Sequence, residues 1–210
     1  MTTTTKRTRK PADERREQIA RTALRILGEG GRKALTTGSL AEGVSVTTGA
    51  IFRHFASLED VLVESVRVAI EQVHRTFPDE GLEPLERIIA LARNRVRLLG
   101  SDAGIAWLLR SEQASMQLPA SSVRDLRQLV QRSREFLLGA IRQGIADGAI
   151  RDDVGAEELL VVVMGTIHTL VGATGVHGSA RRSRSASVPK TLDALRVLLS
   201  RPGGPRSRKK

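Results

Sequence analysis

The stretch TTGSLAEGVSVTTGAIFRHF, residues 36–55, decides how the fold is interpreted. Its pattern predicts two short helices joined by a tight turn. The first begins after Thr36 or Thr37 and ends near Val44, and the second is capped by Thr47. Two short helices hold a fixed crossing angle when small or apolar residues meet between them. Leu40, Ala41, Val44, Val46 and Ile51 supply such contacts. This layout is typical of a helix-turn-helix.

Two phenylalanines follow in a chain that is only 2% aromatic. Phe52 and Phe55 are three residues apart, so on a helix both rings would lie on one side and pack against the first and fourth helices. The opposite side would present Thr47, Thr48, Ala50 and Arg53, whose side chains are short or cationic. Such a helix fits a major groove about 12 Å wide.

The rest of the chain also shows helical spacing of apolar residues, so we predict an all-α fold of about nine helices. The fourth helix begins with Ser57 and Asp60 as a variant capping box. The predicted helices are Ala12–Gly28, Thr37–Val44, Thr47–Phe55, Ser57–Thr76, Leu85–Gly100, Gly104–Met116, Ser122–Asp147, Leu159–Val176 and Pro189–Leu199.

Four segments follow from this pattern. Residues 1–10 form a basic disordered arm, and residues 11–57 form the helix-turn-helix DNA-binding domain. Residues 58–200 are expected to form a larger helical domain, and residues 201–210 a basic disordered tail. Pro78, Gly81 and Pro84 interrupt the chain between the fourth and fifth helices.

The basic residues are concentrated at the two ends of the chain. The formal net charge is +11, which suggests an anionic partner. Residues 1–57 carry 11 basic and 5 acidic side chains, residues 58–176 carry 13 and 17, and residues 177–210 carry 10 and 1. A local basic module is therefore favoured over a binder that uses its whole surface. The basic tail is at least as well explained by solubility as by DNA contact.

Several classes of protein are disfavoured by what the sequence lacks. It has no cysteine, which excludes disulfides, thiolate metal sites and cysteine nucleophiles. The four histidines have no metal-ligand spacing, and no nucleophile elbow or phosphate loop appears. We therefore expect no enzyme, no metal and no cofactor. The N-terminus is not a secretory signal, so a cytoplasmic protein is expected.

The uncharged segment 159–176 has two interpretations. Its length is marginal for a membrane span. Three glycines, three threonines and His168 dilute its hydrophobicity, which favours a helix buried in a core or a subunit interface. We predict no membrane association.

Residues 16–62 resemble the DNA-binding region of the TetR family of transcriptional regulators. The shared features are a glycine-terminated first helix, LTT at 35–37, LA at 40–41, Val46, and FRHF followed by SLEDVL. The chain departs from the family at three positions. Ser45 replaces the usual turn glycine, Phe52 stands where tyrosine is common, and Leu58 stands where lysine is common.

The resemblance implies a homodimeric regulator of the repressor type that binds a near-palindromic operator. The residues expected at or near double-stranded DNA, from the resemblance and the helix pattern, are Thr36, Thr37, Thr47, Thr48, Gly49, Ala50, Phe52, Arg53 and His54. His54 is either a phosphate contact or a packed cap. The arm at 6–10 could add backbone or minor-groove contacts.

The resemblance also implies that residues 58–200 are an effector-binding and dimerisation domain. A small effector, which we expect to be hydrophobic, would bind among the fourth to eighth helices. The candidate contacts, which are also candidates for ordinary core residues, are Trp107, Met116, Phe136, Met164 and His168. The predicted eighth and ninth helices are expected to form the dimer interface, with Gly165 and Gly172 allowing close approach. The alternative is a non-specific nucleoid or RNA-binding protein that uses its basic ends.

Overall fold

The computed structural model describes residues 11–172 and 181–202, and this part of the chain is helical throughout apart from short connections. The predicted all-α fold class is confirmed. The described helices are α1 Pro11–Ala34, α2 Thr37–Val44, α3 Thr48–Ile51, α4 Leu58–His74, α5 Pro84–Ser101, α6 Ala103–Arg110, α7 Glu112–Gln117, α8 Ala120–Ala146, α9 Ala156–Gly172 and α10 Arg181–Leu199.

Several helix bounds differ from the sequence prediction, and the third predicted helix ends at Ile51 rather than at Phe55. α1 continues through Gly28 and Gly30, and its regular path is interrupted at Gly31, where φ is +67°. The predicted sixth helix is two helices, because Ser111 adopts an extended conformation between α6 and α7. α10 begins at Arg181 and contains Pro189, so the prediction that Pro189 opens the last helix is wrong. The predictions for residues 1–10, 173–180 and 203–210 lie outside the described residues.

The first of two compact units contains the residues up to Glu71 together with Asp102–Leu126. The most extensive contact between two helices of this unit is that of α1 with α6. Two glycines make this crossing close: a Cβ atom at Gly104 would lie 2.1 Å from the carbonyl oxygen of Leu24, and one at Gly28 would lie 2.5 Å from the amide nitrogen of Gly104. Backbone therefore meets backbone at this point, and α6 packs directly on α1.

The second unit contains Gln72–Ser101 and the residues from Arg127 on. Here α5 packs against α9 and α10. The guanidinium of Arg196 on α10 donates to both carboxylate oxygens of Glu86 on α5, with Nη2 3.0 Å from Oε2. The predicted boundary after residue 57 does not coincide with the division between the two units, and it remains a prediction.

The helix formed by the uncharged segment, α9, is apolar on more than one side. Leu160 and Val163 are fully buried, whereas Val161 and Val162 are exposed. Among the helices within 11–172 and 181–202, none combines the length and the hydropathy needed to cross a membrane. The helical interpretation is confirmed for residues 159–172, and Val161 and Val162 are open to solvent in the single subunit.

Candidate functional site

The turn between α2 and α3 depends on a residue in the left-handed conformation. Ser45 has φ 59° and ψ 48°, and it is the one non-glycine residue with positive φ among those described. Its amide hydrogen points to the carbonyl oxygens of Ala41 and Glu42, and the amide of Val46 donates to the same Ala41 oxygen over 2.9 Å. The chain therefore keeps the tight turn although serine replaces glycine, at a cost of about 1 kcal/mol.

Threonine and serine side chains fix where the two short helices begin. Thr36 and Ser39 form a reciprocal capping box at the start of α2. The hydroxyl of Thr47 accepts from the amide of Ala50 over 3.3 Å at the start of α3. Each cap contributes about 1 kcal/mol, because it satisfies an amide that the helix itself leaves free. Both predicted helix starts are confirmed.

The two phenylalanines do not share one side of a helix. Regular helix ends at Ile51, and residues 52–54 form a turn. Phe55 is 2% exposed and belongs to the core, whereas Phe52 is 48% exposed. The prediction that both rings pack on the first and fourth helices is wrong for Phe52, because a three-residue step places side chains together only while the helical path continues. Phe52 instead lies at the surface beside Arg53.

A cation holds the end of this turn in place. The guanidinium of Arg16 on α1 lies over the Phe55 ring, 4.2 Å from its centre, and donates to the carbonyl oxygen of His54. The carboxylate of Glu64 on α4 is 4.0 Å away. These contacts tie the turn after α3 to α1 and α4. They fix the backbone of His54 next to α1.

The nine predicted DNA contacts all retain access to solvent. Below them, Leu40, Ala41, Val44 and Ile51 are buried. The exposed members are Thr36, Thr47, Thr48, Gly49, Phe52 and Arg53, and the partly buried members are Thr37, Ala50 and His54. A Cβ atom at Gly49 would meet no other atom within 4 Å. The structure thus brings hydroxyls, a small residue and a cation together on the solvent side of α2 and α3.

Comparison with known protein families gives a match over this region. Residues 19–64 match the model of the bacterial regulatory proteins of the tetR family. Over this segment the chain is similar to the TetR family. Its matched segment runs from α1 into α4 and contains both short helices and the left-handed turn.

Relatives and solved structures extend the similarity beyond the matched segment. The HTH-type transcriptional repressor KstR2 of Mycobacterium tuberculosis is 25% identical over 149 residues, covering 69% of this chain and 74% of KstR2. The structure of the ketosteroid transcriptional regulator KstR2 from that organism has a TM-score of 0.72 at 18% identity, covering 89% of this chain and 95% of KstR2.

Two further structures with similar folds were solved with ligands. AibR in complex with isovaleryl coenzyme A and operator DNA has a TM-score of 0.70 at 18% identity, covering 86% of this chain and 97% of AibR. FadR from Bacillus subtilis in complex with stearoyl-CoA has a TM-score of 0.66 at 20% identity, covering 87% of this chain and 98% of FadR. At these identities the likeness establishes the fold.

The predicted effector contacts fall in both units. Trp107 and Met116 belong to the first unit, and Phe136, Met164 and His168 belong to the second. Met116 is 83% exposed and His168 is also exposed, so the alternative of core residues is wrong for these two. Trp107, Phe136 and Met164 are half-buried. Of the five, Phe136 packs edge to face on another ring, that of Phe77, at 5.2 Å.

The structure adds a cluster that the sequence prediction missed. It consists of His74, Phe77, Arg95, Arg132 and Ser133, all in the second unit and next to Phe136. No group of histidine and carboxylate side chains that could hold a metal ion occurs among the described residues.

Proposed function

We propose that this chain is a TetR-family regulator that acts in the cytoplasm as a homodimeric repressor. Each subunit places α3 in the major groove of one half of a near-palindromic operator, and a small hydrophobic effector releases the dimer from the DNA. It works as a regulator and not as an enzyme. The observation that carries the DNA-binding role is the exposed set Thr47, Thr48, Gly49 and Arg53 above the buried contact of α2 and α3.

The chemistry of this surface matches what duplex DNA presents. Threonine hydroxyls both donate and accept hydrogen bonds, and an arginine guanidinium can donate two parallel bonds to the edge of guanine. Because Gly49 has no side chain, the backbone of α3 can approach a phosphate or a base edge closely. The buried core beneath the helix and the Arg16 contacts hold this surface rigid.

The dimer contact is proposed on α9 and α10. Both helices expose large apolar side chains: Val161 and Val162 on α9, and Val197 and Leu198 on α10. Gly165 on α9 is exposed, and a Cβ atom there would meet nothing within 4 Å in the subunit. A two-fold axis brings the same patch of each subunit together, so one self-complementary apolar face is enough. The dimer must place its two copies of α3 about 34 to 36 Å, or a multiple of this, apart, because this is the distance between the two half-sites.

The effector is proposed to be an acyl compound. AibR and FadR, which share the fold, bind isovaleryl coenzyme A and stearoyl-CoA. Such a ligand releases DNA only to the extent that it binds one conformation of the dimer better than the other. The aromatic pair of Phe77 and Phe136 in the second unit offers apolar surface for an acyl chain.

Replacing Arg53 by alanine tests the reading surface. The variant should bind the palindromic duplex recovered from a random pool more weakly by about 1 to 3 kcal/mol, because a direct contact to a base edge is lost. Fluorescence anisotropy with labelled duplex at fixed salt measures the affinity.

The matched control is Arg97→Ala, which removes the same charge from an exposed position on α5. It should leave the affinity within about 0.5 kcal/mol of the wild type, as expected of surface substitutions away from a contact. Equal losses in the two variants would mean that only overall charge matters, and Arg53 would then have no place on the reading surface.

A further inference from the structure

A partly buried arginine with neutral partners lies in the second unit. Arg95 projects from α5 into the space between α8 and the residues that follow α4. Its Nε donates to the hydroxyl of Thr76 over 3.1 Å, and one Nη donates to the hydroxyl of Ser133 over 3.4 Å. Thr76 and Ser133 are both buried. A guanidinium has five N–H groups, and in the part of the chain that the structure describes these two hydroxyls are the acceptors that Arg95 finds.

A second arginine lies over the same aromatic ring as the first. The guanidinium carbons of Arg95 and Arg132 lie 5.6 Å and 5.4 Å from the centre of the Phe77 ring. Arg132 is exposed, and one of its Nη atoms is 3.2 Å from Nδ1 of His74. The side chains of His74, Arg95 and Arg132 therefore lie around the Phe77 ring. Phe136 packs against the same ring edge to face.

Within residues 11–172 and 181–202, no carboxylate forms an ion pair with this cluster. Among the described residues, neither Arg95 nor Arg132 takes part in an ion pair with Asp or Glu. The residues outside the described ranges include no Asp or Glu at all, so they cannot supply one from a side chain. Buried charges in proteins are ordinarily paired. Because Arg95 has no such partner among the described residues, its guanidinium is available to bind an external anion.

The ionisation of the cluster is consistent with an unbalanced positive field. Burial lowers the pKa of Arg95 to about 10, and no acidic neighbour opposes this effect. The pKa of His74 is lowered first by burial and then by the charges of Arg132 and Arg95. Arg95 is still protonated at neutral pH, so an arriving anion would meet a fixed and poorly solvated positive charge.

We propose that Arg95 and Arg132 bind an oxyanion of the effector beside the Phe77 ring. The oxyanion is a carboxylate or a phosphate, and the apolar part of the same molecule contacts Phe77 and Phe136. A planar guanidinium matches either group by two parallel hydrogen bonds, which an ammonium could not do. This assignment rests on the proposed release by an effector and adds the charge that this effector carries.

The two sources of the oxyanion can be separated with simple probes. Isothermal titration calorimetry on the full-length protein without DNA measures the binding of pyrophosphate, of decanoate and of uncharged decan-1-ol at constant ionic strength. The variants are Arg95→Gln and Arg132→Gln, and the matched control is Arg93→Gln at an exposed position on α5. Circular dichroism checks that each variant is folded. Arg132 is itself exposed, so its variant keeps the test decisive should Arg95→Gln unfold.

The expected result is that at least one of the two anions binds to the wild type and to Arg93→Gln, and that both cluster variants weaken this binding about 10- to 100-fold. Binding of decan-1-ol should not change. Preference for pyrophosphate would assign a phosphate source such as an acyl thioester of coenzyme A, and preference for decanoate would assign a free acid. Anion binding that is absent, or equally strong in the cluster variants, would overturn the site.

The operator complex then separates this inference from the proposed function. Adding the bound anion should lower the affinity for the selected duplex in the wild type and in Arg93→Gln, and by a smaller factor in Arg95→Gln. If the anion binds through Arg95 while the wild-type affinity for the duplex stays constant, the site is not an effector site. If the wild type without any anion prefers no duplex sequence, the proposed function fails, whatever the calorimetry shows.

Discussion

Gly104→Ala should lower the free energy of unfolding by about 3 kcal/mol, which is the upper part of the usual range for an overpacked site. The added methyl group would lie 2.1 Å from the carbonyl oxygen of Leu24, with the carbonyl carbon and Cα of the same residue also within 3 Å. These are backbone atoms of α1, and no side-chain rotation can move them. The two helices must separate, and α1 would lose much of its contact with α6.

The matched control is Gly100→Ala, near the end of α5, where an added Cβ meets nothing within 4 Å. Alanine is a better helix former than glycine by about 1 kcal/mol, so this variant should be as stable as the wild type or slightly more stable. Urea unfolding followed by circular dichroism gives both values. Equal midpoints for the two variants would show that α1 and α6 do not cross as closely as described.

Val161→Arg should convert the dimer to a monomer. Val161 on α9 is 66% exposed in the single subunit, so arginine fits there without disturbing the fold. In a two-fold interface the substitution occurs twice and places two unpaired charges in an apolar contact. Leaving a buried charge unpaired costs about 3 to 5 kcal/mol. The affinity for a palindromic duplex should fall about 100-fold or more, since each monomer then contacts only one half-site.

Sedimentation velocity measures the mass, which should approach the 22.8 kDa of one chain. Val130→Arg on α8 provides the control, because Val130 is another exposed valine outside the proposed interface. It should remain a dimer with unchanged operator affinity. A dimer in both variants would move the interface away from α9.

The sequence was most informative where side chains act on the backbone next to them. Thr36 and Thr47 predicted the starts of α2 and α3, because a hydroxyl cap depends only on residues within one turn. Ser45 was recognised as a departure from the family pattern, and the structure places it in the left-handed conformation that the turn requires. The helical spacing of apolar residues likewise predicted α4, α5 and α8 to within a few positions.

Errors arose where a helix is shaped by packing at a distance. α1 continues past Gly28, because that glycine provides room for α6 and does not end the helix. The exposure of Phe52 follows from the end of α3 at Ile51, and residue spacing alone does not reveal where a short helix stops. Helix boundaries of this kind depend on contacts between segments far apart in the chain.

The sequence contains one indication of the charged cluster. Arg95 follows Ile88 and Ala92 by seven and three residues and precedes Leu99 by four, so it lies on the apolar stripe of α5. A cation on such a stripe is expected to be buried or to line a site. Its partners could not be predicted, because Thr76, Phe77 and Ser133 come from two other parts of the chain.

Selection of bound duplexes from a random pool tests the central claim most directly, which is that two copies of α3 read DNA through a two-fold dimer. The account predicts a near-palindromic sequence whose half-site centres are about 34 to 36 Å, or a multiple of this, apart. The same selection with Arg53→Ala should recover a weaker preference within each half-site. Duplexes with no shared sequence, bound in proportion to their length, would contradict the account and favour a non-specific nucleic-acid-binding protein.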